Sequence, residues 1–223
     1  MKFVEYPDRE LLMMDLADQL ASELKSCLLT HDSATFCVPG GTTPGPVFDV
    51  LSAVDLDWER ITVVLNDERW VPADSSRSNT RLLRERLLVG KAAVATLLPL
   101  YAPTPTPEEA LDDLGEALVP HLPISVLLLG MGADMHTASL FPGADRLQEA
   151  LDPDAPPLMA MRAPGADEPR VTLTAPVLQG AMSTHLLIMG NEKREALERA
   201  RDLPPNEAPV RAVLANATVH WAE

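Results

Sequence analysis

Four short stretches of the chain are apolar almost without interruption: ATFCV (34–38), ITVVLN (61–66), ISVLLLG (124–130) and HLLIMG (185–190). Runs of this length, rich in Val, Ile and Leu, predict strands buried on both faces. Between them the pattern changes period. Leucines at 12, 16, 20, 24 and 28, with Asp15, Asp18 and Glu23 off that stripe, predict a helix over 8–29. A second helix is expected over about 44–51, a third over RLLRERLL (81–88) and a fourth over the charged NEKREALERARD (191–202). VTLT (171–174), LMAMR (158–162) and TVHW (218–221) predict further short strands, whereas DERWVPADSSRSN (67–79) reads as polar and irregular. Thr106, followed by Pro107, Glu108 and Glu109, has the form of a helix start with a capping hydroxyl.

Doubly buried strands alternating with helices predict a parallel sheet covered by helices on each face. No long polar or Gly/Ser linker interrupts the pattern, so residues 1–223 are expected to form a single domain. In such folds ligands bind beyond the carboxyl ends of the strands. That is where the chemically suggestive loops fall: PGGTTP, NDERW, GMGADMH and GNEK each follow one of the four apolar runs.

Composition narrows the picture. The formal charge is −15, which argues against nucleic acid or an anionic membrane as partner. An anionic small molecule would need the few cations gathered in one place. The N-terminus has no apolar leader core, and no stretch approaches the ~20 apolar residues of a membrane span. Cys27 and Cys37 have no metal-ligand spacing and are expected to be reduced thiols, consistent with a cytoplasmic protein.

The loops supply candidate chemistry. In PGGTTPG, Gly40 and Gly41 let the backbone approach a ligand, and Thr42 adds a hydroxyl at a helix N-terminus. Neither the phosphate-loop nor the dinucleotide fingerprint is present. Asp67, Glu68 and Arg69 follow a buried strand, and Arg69 offers a planar fork suited to phosphate. Ser78, Asn79 and Arg81 open a helix, with Ser78 as its cap. His136 lies on a Gly-rich loop two residues after Asp134. It lacks enough neighbouring ligands for a metal site, and no nucleophile elbow exists. It fits a general base with an orienting carboxylate, although a structural histidine remains open. Ser139 could equally cap a helix. Arg170 and Lys193 flank strands and, with Arg69, would concentrate positive charge.

PGGTTP, NDERWVP with SRSN, GMGADMHTASLFPG, RVTLT and GNEK occur in the order found in 6-phosphogluconolactonases, so residues 36–195 resemble that family. The resemblance implies a three-layer α/β/α fold with a mostly parallel Rossmann-like sheet, like that of the glucosamine-6-phosphate deaminases. It implies hydrolysis of 6-phospho-D-glucono-1,5-lactone in the oxidative pentose phosphate pathway, with no metal and no organic cofactor. His136 would be the base that activates water, placed by Asp134. Arg69, Arg170 and Lys193 would hold phosphate or oxyanion, and Gly40, Gly41, Thr42, Asp67 and Asn79 would complete the substrate-binding set. The partner would be a small sugar-phosphate lactone and the chain a monomer or weak homodimer. Two alternatives stand: a sugar-phosphate isomerase or deaminase on the same fold, and a non-catalytic sugar-phosphate sensor. Two positions depart from the family pattern. Pro39 and Thr42 replace serines of SGGSTP, and Met135 replaces the glycine of D-G-H. The loop is expected to take an ordinary backbone conformation at Met135, because a left-handed one would be strained.

Overall fold

The computed structural model describes residues 1–223. In chain order its elements are β1 (Lys2–Glu5), α1 (Arg9–Thr30), β2 (Ala34–Val38), α2 (Gly45–Ala53), β3 (Ile61–Leu65), β4 (Asp67–Arg69), α3 (Asn79–Arg86) and β5 (Thr96–Leu98). They continue with α4 (Leu111–Leu118), β6 (Val126–Gly130), α5 (Leu147–Ala150), β7 (Leu158–Met161), β8 (Arg170–Leu173), α6 (Ala175–Gln179), β9 (Ser183–Met189), α7 (Asn191–Ala200), α8 (Arg211–Leu214) and β10 (Ala217–Ala222).

Seven strands form one sheet in the order β1-β10-β9-β6-β2-β3-β5, and every pairing in it is parallel. All five residues of β2 and of β3 are buried. Successive side chains point to opposite faces, so total burial means that both faces are covered. The chain winds from β2 through β3 to β5 on one side, then returns to β6 on the other side of β2. This reversal opens a crevice between the carboxyl ends of β2 and β6, where the two connections leave in opposite directions.

A second, three-stranded sheet, β4-β8-β7, is antiparallel. Its first strand lies within the segment expected to be irregular. Only three residues long, β4 carries no alternation that a pattern reading detects; it exists because Asp67, Glu68 and Arg69 pair with Thr172, Val171 and Arg170. The edge strands β1 and β5 were also not legible, being short and without fully buried residues.

α1 follows its leucine stripe: Leu12, Leu16, Leu20, Leu24 and Leu28 are all buried. Each such side chain contributes roughly 1.5–3 kcal/mol on transfer from water. Asp8 caps its start, accepting from Leu11 N at 2.8 Å. No basic residue lies in its last turn. Arg60, preceding β3, supplies one from outside, donating to the carbonyls of Leu28 (3.1 Å), His31 (2.7 Å) and Asp32 (2.8 Å). The expected cap at Thr106 takes another form. Its hydroxyl donates to Glu109 Oε1 at 2.9 Å, and Pro107–Glu109 closes as a single 3-10 turn ahead of α4. The Glu side chain is spent on the hydroxyl rather than on the backbone, so no capping box forms. No helix is long and apolar enough to cross a membrane.

Arg60→Ala removes the charged donor shared by three carbonyls that water can still partly reach. We expect a loss of about 1–2 kcal/mol, read as a lower urea midpoint at unchanged slope. An unaltered midpoint would mean that the α1 terminus does not depend on Arg60.

Candidate active site

The crevice holds a cavity of about 510 Å³, within the range of small-molecule sites. Its wall includes Gly40, Gly41 and Thr42 after β2, Asp67 and Arg69 of β4, Asn79 of α3, His136 after β6, Arg170 of β8 and Lys193 of α7. Every substrate-binding candidate from the sequence is therefore present, together with the candidate base. Asp134 lies behind His136 rather than on the wall.

Glu68 organises one side. It is fully buried and accepts hydrogen bonds from Arg69 N, Asn79 N and Thr80 N, each at 2.8 Å, and from the Ser78 hydroxyl at 3.0 Å. Its charge sits at the N-terminus of α3, where the helix dipole favours an anion. Ser78 also caps this helix as expected, accepting from Arg81 N at 3.3 Å. With α3 fixed, the Asn79 amide donates to Asp67 O at 3.1 Å and lies against Gly40. A Cβ at position 40 would occupy the space of the Asn79 side chain, so glycine is required there for close approach.

Asp67 joins the two sheets to the histidine loop. It accepts from the Ser139 hydroxyl at 2.6 Å and faces the Arg170 guanidinium at 3.7 Å. Ser139 is fully buried, and its N–H goes to Thr172 Oγ1 at 3.1 Å. It caps no helix, because no helix begins there; its hydroxyl is used across the site instead. Arg69 and Arg170 are cross-strand neighbours. Arg69 donates to Arg77 O at 2.7 Å, yet the Nε of both arginines is buried without a partner. Burial pushes the Arg170 guanidinium below its usual range; Asp67 opposes this and the Arg69 charge adds to it. Two guanidiniums held side by side with unspent donors are suited to an anion.

The loop after β6 presents His136. Gly132 N donates to His136 O at 2.9 Å and Met135 N to Gly132 O at 3.0 Å, closing a tight turn. Asp134 Oδ1 lies 2.5 Å from His136 Nδ1 and also accepts from His136 N at 3.2 Å. The hydrogen bond from His136, acting first and against partial burial, holds the Asp134 carboxyl below its usual range. An ionised Asp134 fixes the Nδ1–H tautomer and leaves the Nε2 lone pair free. The ring stacks on Phe141 at 4.1 Å between centroids, and Arg170 lies over the same Phe141 at 5.2 Å. A Cβ on Gly132 would overlap both His136 Nδ1 and Asp134 Oδ1.

Met135 corrects an expectation. Its φ is 68°, in the left-handed region, rather than ordinary. The Asp134 side chain must fold back to reach His136, and the chain reverses at Met135 to allow it. The conformation costs roughly 1–2 kcal/mol for a non-glycine residue. It is held by the bond to Gly132 and by Val210 N, which donates to Met135 O at 3.0 Å.

On the opposite wall, Lys193 Nζ donates to Met131 O at 2.8 Å. Arg9, the first residue of α1, also lines the cavity, with Nε on Glu223 O at 2.7 Å. The sequence carries no signal for Arg9, which reads as an ordinary first-turn residue. Nowhere do three or more His, Cys, Asp or Glu side chains converge in a metal-ligating group.

Glu68→Gln would turn an amide NH₂ towards groups that already donate. We expect a loss of about 2–4 kcal/mol in denaturant unfolding, against about 1 kcal/mol for Ser78→Ala. Equal costs for the two would reduce Glu68 to a simple helix cap.

Residues 7–221 match the family model described as glucosamine-6-phosphate isomerases/6-phosphogluconolactonase. A 6-phosphogluconolactonase of Rhizobium meliloti is 42% identical over 214 residues, covering 93% of this chain and 92% of that one. One of Pseudomonas aeruginosa is 43% identical over 211 residues, covering 92% and 88%. Among solved structures, a 6-phosphogluconolactonase from Shewanella baltica superposes with a TM-score of 0.96 at 32% identity, covering 100% of this chain and 98% of that one. A monomeric glucosamine-6-phosphate deaminase shares the fold at a TM-score of 0.80 and 17% identity, covering 100% and 98%. With a match running nearly end to end and relatives of this similarity, the chain belongs to the glucosamine-6-phosphate isomerase/6-phosphogluconolactonase family.

Proposed function

We propose that this chain hydrolyses 6-phospho-D-glucono-1,5-lactone to 6-phospho-D-gluconate, the lactone-opening step of the oxidative pentose phosphate pathway. The observation that carries the reading is the His136–Asp134 pair. Its free Nε2 belongs to a ring on the wall of a cavity that also contains Arg9, Arg69, Arg170 and Lys193. The 6-phosphogluconolactonase relatives support the substrate class.

The chemistry follows from the free lone pair. Water beside Nε2 loses a proton to His136 as its oxygen attacks the lactone carbonyl. Asp134 stabilises the imidazolium that forms. The carbonyl oxygen becomes an oxyanion, and the unspent guanidinium donors offer it hydrogen bonds. When the ester C–O bond breaks, His136 returns its proton to the departing ring oxygen. The products are a hydroxyl and a carboxylic acid on one open chain, and the acid gives its proton, the second of the attacking water, to solvent to become the carboxylate. The cavity cations together neutralise the phosphate and the developing charge, while the Gly40–Thr42 loop adds donors at the start of α2. Asn79 and Asp67 act partly through position, the first against the loop and the second on Arg170. A cytoplasmic location suits the thiols, since Cys27 and Cys37 are unpaired and Cys37 is buried.

Freshly prepared lactone provides the test, with spontaneous hydrolysis subtracted. His136→Ala is expected to lose about 10²–10⁴ in kcat with KM little changed. Near-normal turnover by that variant would remove His136 as base. Ammonia release from glucosamine 6-phosphate by the wild type, without acceleration of lactone opening, would move the chain to the deaminase branch.

Gly132→Ala removes no polar group but displaces the Asp134–His136 pair. A misplacement of this kind is expected to cost about 10²-fold in kcat. Wild-type turnover in this variant would show that the Asp134–His136 geometry is not required.

A further inference from the structure

One polar residue on the cavity wall takes no part in the proton transfers of His136. Asn66 is the single residue between β3 and β4, where the chain passes from the large sheet to the small one. Its backbone is engaged on both sides. Asn66 N donates to Val38 O at 3.0 Å, which extends the β2–β3 pairing, and Leu173 N donates to Asn66 O at 2.9 Å, which ties it to β8. The residue lines the cavity, yet it is only 1% exposed.

The side chain has one satisfied end and one bare end. Nδ2 donates to Leu128 O of β6 at 3.3 Å. In the sheet β2 lies between β3 and β6, so this bond passes across the end of β2. There β2 and β6 have already parted, because they pair only at Phe36–Val126 and Cys37–Leu127. The other amide atom, Oδ1, is buried and has no hydrogen-bond partner. Turning the amide over would set Oδ1 against the Leu128 carbonyl, two acceptors face to face, so the bond to β6 fixes which atom is left bare. A buried amide oxygen without a donor is unfavourable, and such atoms are rare in folded proteins.

We propose that Asn66 is a specificity-determining residue whose Oδ1 accepts a hydrogen bond from one ring hydroxyl of the bound lactone. The inference rests on the lactonase reading above. It follows from the chemistry of the remaining wall, which is dominated by the donors Arg9, Arg69, Arg170 and Lys193. These suit a phosphate and a developing oxyanion. The lactone also carries hydroxyls at C2, C3 and C4, and a hydroxyl held away from water needs an acceptor for its own proton. Asp67 Oδ2 already takes the Ser139 hydroxyl and faces Arg170, and the free nitrogen of His136 faces the attacking water. Asn66 Oδ1 is unengaged. Being neutral, it accepts a proton without repelling the substrate's phosphate, as a carboxylate at the same position would.

The two roles of the side chain separate experimentally. Asn66→Ala removes the bond to Leu128 O, and the resulting looseness of the wall lowers turnover of every substrate alike. It also removes Oδ1, and that loss is felt only by a substrate that carries the hydroxyl. A substrate without the hydroxyl leaves Oδ1 as bare as in the free protein. Wild type should therefore prefer the parent lactone over one deoxy form by about tenfold, the usual scale of one neutral hydrogen bond. Asn66→Ala should lose that preference and no other.

The experiment measures kcat/KM of wild type and Asn66→Ala on the parent lactone and on its 2-deoxy, 3-deoxy and 4-deoxy forms. Each value is divided by the spontaneous opening rate of the same compound, which removes differences in intrinsic reactivity. Discrimination against one deoxy form in the wild type that disappears in Asn66→Ala supports the proposal and names the hydroxyl. A wild type that opens all four alike, or a variant that keeps the same discrimination, would overturn it while leaving the lactonase reading intact. No acceleration of the parent lactone by wild type would remove both. If Asn66→Ala does not fold, a crystal structure of the wild type with 6-phosphogluconate decides. The open-chain product retains these hydroxyls, and one of them must lie within about 3 Å of Asn66 Oδ1; a product bound in the cavity without that contact overturns the proposal.

Discussion

Glu68 is a buried carboxylate with four donors directed at it, and the architecture of the cavity leads back to it. Leaving a charge dry costs several kcal/mol unless it is fully bonded. Here the bonds come from two elements that would otherwise be independent, β4 and the N-terminus of α3. Satisfying Glu68 therefore fixes their relative position. From α3 the constraint passes through Asn79 to the bare backbone of Gly40, and so to the loop after β2. From β4 it passes through the ladder with β8 to Arg170, and through Asp67 and the Ser139 hydroxyl to the histidine loop. The small sheet acts as a bracket joining three of the four loops that leave the large sheet.

The protein carries a formal charge of −15, yet binding of a phosphorylated substrate requires an attractive cavity. Distance resolves the conflict. At physiological salt, charges beyond about 8 Å are largely screened, so the acidic exterior acts weakly inside the crevice. Four cations act at short range, and two of them keep buried Nε donors unspent. Burial weakens the charged form of Arg170, but a guanidinium is basic enough to remain charged, and its desolvation prepares it to favour an anion over water. The strain at Met135 belongs to the same economy of position. A conformation costing roughly 1–2 kcal/mol is maintained by two backbone hydrogen bonds of comparable net worth. It permits the short Asp134–His136 contact.

The proposed base and the buried imidazoles place histidine in opposite settings. His136 is partly exposed, bonded at one nitrogen and free at the other, as the proposed proton transfer needs. His185 and His220 are buried and bonded at both nitrogens, so they serve cohesion. The two places are linked through α1, which carries Arg9 to the cavity and Glu23 to His185, and through β9, whose Leu187, Ile188 and Met189 line the cavity.

Several features of this protein are local consequences of its sequence. The leucine stripe makes α1 a helix wherever it is placed, and continuous apolar runs make β2, β3, β6 and β9 strands that must be covered on both sides. Because a parallel sheet collects its strand ends on one edge, the loops PGGTTP, NDERW, GMGADMH and GNEK were bound to meet, and much of the cavity wall was legible from that alone. Tertiary structure decided the rest. β4 exists only through its pairing with β8, Ser139 bonds Asp67 across the site rather than capping a helix, and Arg9 reaches the cavity because α1 packs beside the β2 loop. Met135 is left-handed because Asp134 must turn back to His136, and His185 meets His220 because β9 and β10, separated in the chain, pair in the sheet. The periodicity of side chains records which face of an element is buried. It does not record which distant polar group will lie within hydrogen-bonding distance, because that depends on how the elements are packed together.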